Sequence, residues 1–131
     1  MIHSHTIRVR YSECDPMGVA HHTAYPVWFE IGRTELLRSA GLEYASLESE
    51  GIFLAVVKLD VTYKRPARYD DVLQVETKLI ECGRVKIHHQ YTLCREDETL
   101  STARTVLACI GRDGRPMEVP AIILQTHSAS E

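Results

Sequence analysis

The amino-acid sequence predicts an α+β fold in which one long helix packs against an antiparallel sheet. Two observations lead to this prediction: an apolar stretch with helical spacing lies early in the chain, and the hydrophobic period changes to two after Gly51. The alternating stretches that follow are separated by short turn-forming segments, which is typical of antiparallel strands. Such a sheet buries one face, and the helix is the layer available to cover it.

The first predicted elements are a strand, the long helix and a shorter helix. Thr6 to Tyr11 alternates apolar and charged side chains and predicts a strand. Tyr25 to Ala40 predicts a helix with few positions left for water, with Pro26 in its first turn and Gly41 at its C-terminal cap. Protein should therefore surround most of this helix. Glu43 to Ser49 predicts the shorter helix.

The rest of the chain predicts four strands, at 57–64, 73–79, 85–93 and 101–110. Their short connections favour a meander, in which consecutive strands are neighbours. A hairpin tip is expected at 96–98, and the tail after Gln125 is expected to fray.

Composition narrows the function classes. The length of 131 residues suggests a single domain (1–131), and the net charge of -3 argues against nucleic acid as the main partner. No apolar run approaches the roughly 18 residues of a membrane span, and the N-terminus lacks a secretory pattern. The four cysteines lack a Cys-x-x-Cys spacing, so we expect reduced thiols in a cytoplasmic protein. A chain this short commonly completes its active site at a subunit interface, so we expect a homo-oligomer.

The most informative segment runs from Tyr11 to Arg38. A strand breaks at the carboxylate of Asp15, a loop containing Gly18 follows, and two histidines lead into the apolar helix. An acid, a flexible turn and a helix start within about ten residues can combine a carboxylate with anion-stabilising backbone N–H groups.

Two runs of this sequence resemble the 4-hydroxybenzoyl-CoA thioesterase family, which includes thioesterases associated with the Tol-Pal cell-envelope system. The first run extends from Asp15 to Glu30 and reads Asp-Pro-Met-Gly-Val-Ala-His-His-Thr-Ala-Tyr-Pro-Val-Trp-Phe-Glu. The second extends from Val61 to Leu73 and resembles the family's second strand and turn. Many relatives carry Asn or Ser at the position of Ala24. The alanine in this sequence removes a polar group near the helix start.

The resemblance implies a hotdog fold, a curved antiparallel β-sheet wrapped around one long central helix. It implies dimers whose sheets join edge to edge, active sites at the dimer interface, and often tetramers. The implied activity is hydrolysis of an acyl-CoA thioester with no metal or other cofactor. Asp15 would be the catalytic carboxylate, and a backbone N–H near His22 would polarise the thioester carbonyl.

The chemistry leaves several roles open. A carboxylate can draw a proton from water or attack the thioester directly, and no sequence feature separates these routes. Gly18 lets the loop turn tightly. The His22 side chain is an alternative general base. His21 and His22 could bind a metal, but a third ligand at suitable spacing is missing. We therefore expect one of them to face solvent and the other, His22, to line the site.

Other side chains are candidates for substrate binding or for structure. Tyr25 and Trp28 are near enough to the site to line an acyl pocket. His89 shares an apolar strand face, opposite to His88, and is expected to be a satisfied core or interface histidine. Two basic groups could hold the phosphates of CoA or form a solvated face: Lys64, Arg65 and Arg68 beside a proline, and Arg84 with Lys86 at another turn.

Two alternatives to thioester hydrolysis stay open. One is a hotdog dehydratase that acts on hydroxyacyl thioesters, since such sites usually pair a histidine with a carboxylate. The other is a non-catalytic module that binds acyl-CoA or an acyl carrier protein. The sequence identifies neither the acyl chain nor its carrier.

Overall fold

A computed structural model describes residues 1–124, which form a five-stranded antiparallel sheet with one long and one short α-helix, and residues 121–124 are also helical. In chain order the elements are β1 (Ile2–Arg8), α1 (Ala24–Ser39), α2 (Tyr44–Ser49), β2 (Phe53–Tyr63), β3 (Val72–Cys82), β4 (Lys86–Arg95) and β5 (Glu98–Ile110). Helix α1 packs on one face of the sheet against β1, β3 and β4. The predicted α+β hotdog architecture is confirmed. No helix in the described range is long and apolar enough to cross a membrane.

The strand order corrects the predicted meander. Strands β3, β4 and β5 are consecutive neighbours, but β2 pairs with β5 at one edge and β1 pairs with β3 at the other. The chain leaves β2 where the N–H groups of Lys64 and Arg65 both donate to the carbonyl of Leu100, at 2.9 and 3.1 Å. Leu100 is the extra residue of a β-bulge in β5. The following segment, residues 64–71, then crosses the end of the sheet to reach β3.

Most element boundaries agree with those predicted from the sequence, but the boundaries of the first strand do not. The bounds of both helices are confirmed within one residue, and those of β2 to β5 within four. The strand predicted from Thr6 to Tyr11 lies instead at Ile2–Arg8. Tyr11 begins a 3-10 turn because the carboxylate of Glu13 accepts the backbone N–H of Arg10 at 2.7 Å and bends the chain. The tail after Gln125 lies outside the described residues.

Helix α1 is buried or half-buried over most of its surface. Its buried residues are Ala24, Tyr25, Trp28, Phe29, Gly32, Arg33 and Leu36. Only Val27, Glu30, Arg38 and Ser39 of its 16 residues are exposed, so the expectation that few positions of the helix face water is confirmed. Gly41 ends the helix with a φ of 87°, and the N–H of Leu42 donates to the carbonyl of Leu37 at 3.1 Å.

Gly32 sets how closely α1 approaches the sheet. A Cβ atom at this position would overlap Oγ1 of Thr77 and lie 2.7 Å from Cγ1 of Val75, both on β3. The helix backbone therefore rests directly on the strand, and a larger residue would force the two layers apart.

A buried histidine lies beneath the helix. His89 is 7% exposed, and its Nδ1 has no hydrogen-bond partner within residues 1–124, so the expectation of a satisfied histidine is wrong. Arg33 is also buried, and it pairs with Glu30 at 3.7 Å as its helical spacing predicts. Burial, with additional effects of Arg33 and His88, lowers the pKa of His89 to about 3. Folding therefore keeps this ring neutral.

The neutral state of His89 predicts a pH dependence of stability. Between its ordinary pKa of 6.5 and about 3, the unfolded chain binds a proton at this residue and the folded chain does not. The free energy of unfolding should therefore fall as the pH falls, by up to about 1.4 kcal/mol per pH unit from this group. Urea denaturation of the His89→Leu variant between pH 6.5 and about pH 4 should give a flatter dependence. His88→Leu, on the opposite face of β4, should keep most of the slope; an unchanged slope in His89→Leu would contradict this interpretation.

Candidate active site

Asp15 lies at the tip of a short β-hairpin formed by residues 13–21. The Asp15 N–H donates to the carbonyl of Val19 at 2.9 Å. Gly18 turns the chain with a φ of 81°, and its N–H donates to the carbonyl of Asp15 at 3.0 Å. The hairpin therefore presents the predicted catalytic carboxylate on a hydrogen-bonded turn.

The two carboxylate oxygens of Asp15 have different surroundings. Oδ1 accepts the backbone N–H of Met17 at 2.9 Å and that of Val19 at 3.4 Å. Oδ2 makes no hydrogen bond to any residue in the range 1–124, and the side chain is half-buried. Because one oxygen is held by the backbone, the other is oriented and free to accept a proton from water or to attack a carbonyl carbon.

The chain between the hairpin and α1 leaves a backbone donor unused at His22. The carbonyl of His21 accepts the N–H of Ala24 at 2.9 Å, and the carbonyl of His22 accepts the hydroxyl of Tyr63 at 2.9 Å. The N–H of His22 has no acceptor among residues 1–124. A free N–H at the start of a helix lies at the positive end of the helix dipole and favours negative charge.

Both histidine side chains near the helix start are exposed in the protomer. Nδ1 of His21 lies 2.8 Å from the hydroxyl of Thr23 and accepts the Thr23 N–H at 3.3 Å, so this ring helps to cap the helix start. The ring of His22 lies beside it at a tilt of 37°, with centroids 4.2 Å apart. Within the described part of the chain, no three His, Cys, Asp or Glu side chains could hold a metal ion together. A site-lining role for His22 stays a prediction.

The second family-like run packs directly against the first. Ala67 is fully buried, and its carbonyl accepts the N–H of Ala20 in the hairpin at 2.7 Å. Its own N–H donates to the hydroxyl of Tyr25 on α1 at 3.1 Å. One residue of the crossing segment therefore ties the hairpin that bears Asp15 to the start of the helix.

An ion-pair network holds the crossing segment from its outer side. Arg95 donates to Asp71 at 2.7 Å and also pairs with Glu98. The hydrogen bond to Asp71 and then that to Glu98 raise the pKa of Arg95 above its ordinary value. Arg65 reaches the same Glu98 at 2.8 Å. This predicted phosphate ligand therefore already has a carboxylate partner within the chain.

The structure separates the two basic groups predicted to bind phosphate. Lys64 and Arg68 lie exposed at the Asp15 end of the sheet, and neither side chain has an ion-pair partner among residues 1–124. Arg84 follows β3 at the other end, 3.8 Å from Glu118. The 11 residues of β3 rise about 3.3 Å each, which puts roughly 30 Å between these ends. Within one protomer Arg84 is therefore not brought together with Asp15.

The aromatic residues predicted to line an acyl pocket belong to the protomer core. Tyr25 is 3% and Trp28 is 1% exposed, and their ring centroids are 4.9 Å apart. Nε1 of Trp28 donates to the buried carboxylate of Glu13 at 2.8 Å. The two rings support the hairpin from behind, and their contact with an acyl group stays a prediction.

Cys14 is adjacent to Asp15, but its environment disfavours a nucleophilic thiolate. Burial, and then the carboxylates of Glu13 and Asp15, raise the pKa of the Cys14 thiol above its ordinary value. The thiol is therefore protonated near neutral pH, and the thiolate is the reactive form of cysteine. Asp15 is thus the stronger candidate for the reacting group.

Comparison with known proteins assigns the chain to a family. It belongs to the thioesterase-like superfamily, whose sequence profile matches residues 9–126. It is 36% identical over 108 residues to the acyl-CoA thioesterase YbgC of Haemophilus influenzae, covering 82% of this chain and 79% of that protein. It superimposes on a DHNA-CoA thioesterase from Staphylococcus aureus with a TM-score of 0.91 and 31% identity, covering 98% and 88% of the two chains. The hypothetical protein TT1821 from Thermus thermophilus gives a TM-score of 0.93 and 35% identity, covering 100% and 98%.

Sequence analysis missed three residues that shape this site: Glu13, Tyr63 and Ala67. The spacing of Arg10 and Glu13 is that of a capping box, so Glu13 carried a local signal. Tyr63 and Ala67 act through contacts 41 and 42 residues away, at His22 and Tyr25, and nothing local indicates such contacts.

Removing the Tyr25 hydroxyl should weaken the link between hairpin and helix. In Tyr25→Phe the N–H of Ala67 stays buried without its acceptor, so the free energy of unfolding should fall by about 1–3 kcal/mol. Urea denaturation measures the change. Tyr11→Phe is the matched control because Tyr11 is 80% exposed, and it should change stability by less than about 0.5 kcal/mol. Equal losses in the two variants would contradict the assigned role of Tyr25.

Proposed function

We propose that this protein hydrolyses acyl-CoA thioesters to a free acid and CoA, with Asp15 as the catalytic carboxylate. The observation that carries the proposal is that Oδ2 of Asp15 on the hairpin and the N–H of His22 at the start of α1 both lack a hydrogen-bond partner among residues 1–124. Membership of the thioesterase-like superfamily and the acyl-CoA thioesterases among its relatives support the same reaction.

Asp15 and the N–H of His22 have different roles in the proposed reaction. In the water route, Asp15 takes a proton while the water oxygen bonds to the carbonyl carbon. The C–S bond then breaks, and the proton passes to the departing CoA sulfur. In the covalent route, Asp15 attacks to form an anhydride and expels CoA, and water opens the anhydride. In both routes the N–H of His22 donates to the oxygen on which negative charge develops.

Substrate binding would use the exposed groups around the hairpin. Lys64 and Arg68 are the cations best placed to meet the phosphates of CoA, since both are exposed at this end of the sheet and have no ion-pair partner in the described range. Arg65 would first have to leave Glu98. Arg84 would need a second subunit to bring it near a site.

The edge strand β2 supports a dimer. Three apolar residues of its middle section, Val56, Val57 and Leu59, are 47%, 54% and 44% exposed. Its outer edge also has no strand partner among residues 1–124. An exposed apolar edge of this kind is available for pairing with another chain. We propose that two copies join at β2, and that each site is completed there; further assembly into a tetramer stays a prediction.

Loss of the Asp15 charge should abolish thiol release. Asp15→Asn keeps the size of the side chain but cannot act as base or nucleophile, so kcat should fall by at least about 100-fold. The assay measures free thiol released from a panel of aliphatic and aromatic acyl-CoAs. Asp70→Asn is the control and should leave kcat unchanged, because this exposed carboxylate forms an ion pair only with Arg8 among residues 1–124.

Three outcomes of this assay would decide against the proposal. Full activity in Asp15→Asn would remove the carboxylate mechanism. Enoyl absorbance without thiol release would identify a dehydratase instead. Acyl-CoA binding measured by calorimetry, with no turnover of any substrate, would identify a non-catalytic binding module for acyl-CoA or an acyl carrier protein.

Adding a charge to the exposed edge should disrupt the dimer. Leu59→Lys would introduce a cation on β2, so the protein should shift toward the monomer. Activity should fall in proportion to the fraction of dimer that is lost. Light scattering after size exclusion gives the mass. Val72→Lys changes a residue of similar exposure, 45%, away from β2 and should leave the mass unaltered. A monomeric wild type with full activity would rule out a shared site.

A further inference from the structure

We propose that Tyr63 is a positioning residue that holds the His22 N–H in the direction required by the developing oxyanion. The inference rests on the proposed function and adds a residue to it from another part of the chain. Tyr63 is the last residue of β2, whereas His22 precedes α1. The hydroxyl of Tyr63 donates to the carbonyl of His22 at 2.9 Å and so connects the edge strand to the site.

At the start of α1 the His21 ring contacts Thr23, but the N-cap residue itself provides no side-chain cap. Thr23 occupies the N-cap position but makes no capping hydrogen bond with its side chain, and Ala24 has no polar group to offer. His22 lies outside the helix, so the helical hydrogen-bond pattern does not fix its backbone. Tyr63 is the one donor to the His22 carbonyl among residues 1–124.

Three hydrogen bonds together hold the peptide planes on either side of His22. The carbonyl of His21, which shares a peptide plane with the His22 N–H, accepts the N–H of Ala24 at 2.9 Å. The next plane is held at the His22 carbonyl by the Tyr63 hydroxyl at 2.9 Å and at the Thr23 N–H by Nδ1 of His21 at 3.3 Å. With both planes held, the His22 N–H keeps one direction. Removal of the hydroxyl would leave the second plane held only by the longer bond from the Thr23 N–H to the exposed His21 ring, and a donor that must reorganise stabilises a transition state less well.

The ring of Tyr63 is itself held in place. It packs edge-on against Tyr25, with centroids 4.9 Å apart and an interplanar angle of 80°. Tyr25 in turn accepts the N–H of Ala67. The hydroxyl that orients His22 is therefore anchored to the same contact that joins hairpin and helix.

A direct role for Tyr63 as a proton donor is less consistent with the geometry. Its single hydroxyl proton is already committed to the carbonyl of His22. Burial, and then the nearby Tyr25, also raise the pKa of Tyr63 above its ordinary value, so the hydroxyl stays protonated in the neutral range. The residue thus acts through the His22 backbone.

The test compares Tyr63→Phe with wild type in the thiol-release assay. We expect kcat to fall about tenfold, less than the loss caused by deleting an oxyanion donor outright, while KM changes by less than about threefold. An acyl-CoA analogue with a trifluoromethyl ketone in place of the thioester should lose about the same factor in affinity, because it mimics the tetrahedral intermediate. The affinity for CoA, the melting temperature and the oligomeric mass should stay close to those of wild type.

Tyr91→Phe is the matched control. The Tyr91 hydroxyl makes a buried hydrogen bond with Thr105 at 2.6 Å, between β4 and β5. Its loss should lower the melting temperature and leave kcat within about twofold of wild type. The two phenylalanine variants therefore separate an effect on catalysis from an effect on folding.

The outcomes distinguish this inference from the function on which it rests. If wild type releases thiol, Asp15→Asn does not, and Tyr63→Phe has full kcat, the inference is wrong and the proposed function stands. A loss of kcat in Tyr63→Phe with parallel losses of melting temperature and CoA affinity would mark a merely structural role and also overturn it. Absence of turnover in wild type would overturn both.

Discussion

The buried backbone of Ala67 is the contact on which the geometry of the candidate site depends. Its carbonyl binds the hairpin at Ala20, and its N–H binds the helix through Tyr25. Ala67 is fully buried, so water cannot replace either hydrogen-bond partner. Loss of either bond would leave a buried backbone group unsatisfied. The ion pairs of Arg95 hold the same segment from the outside. The position of Asp15 relative to α1 follows from this arrangement.

The groups proposed to take part in the reaction are those that the fold leaves without a hydrogen bond. Oδ2 of Asp15 and the N–H of His22 have no partner within residues 1–124. Most buried polar groups in proteins are satisfied, and unused polar groups held by bonded neighbours suit catalysis because they need little reorganisation. His89 is unpartnered too, but it lies beneath α1 among core residues. Its effect is expected on stability rather than on the reaction.

The sequence was sufficient to predict the helices, the strands and the candidate carboxylate, because each of them has a local signal. Helical spacing located α1, alternation located the strands, and the run from Asp15 to Glu30 carried the family resemblance. Strand order was not predictable in the same way, because β2 pairs with β5 and not with β3. The crossing segment that carries the chain from β2 to β3 is positioned by non-local contacts with Leu100, Ala20 and Tyr25. The role inferred for Tyr63 likewise depends on a single contact with a residue 41 positions away. Arg84 matched a chemical pattern, yet the length of β3 places it far from Asp15 in the protomer.

Asp15 and the His22 N–H are proposed to act on the same thioester group, and every catalytic role assigned above depends on this. A crystal structure of the Asp15→Asn variant with an intact acyl-CoA tests it most directly. The predicted result is a thioester oxygen about 3 Å from the backbone nitrogen of His22, with the substituted amide at position 15 facing the carbonyl carbon. A thioester oxygen bound elsewhere, with the His22 N–H still unoccupied by the substrate, would contradict the proposed mechanism.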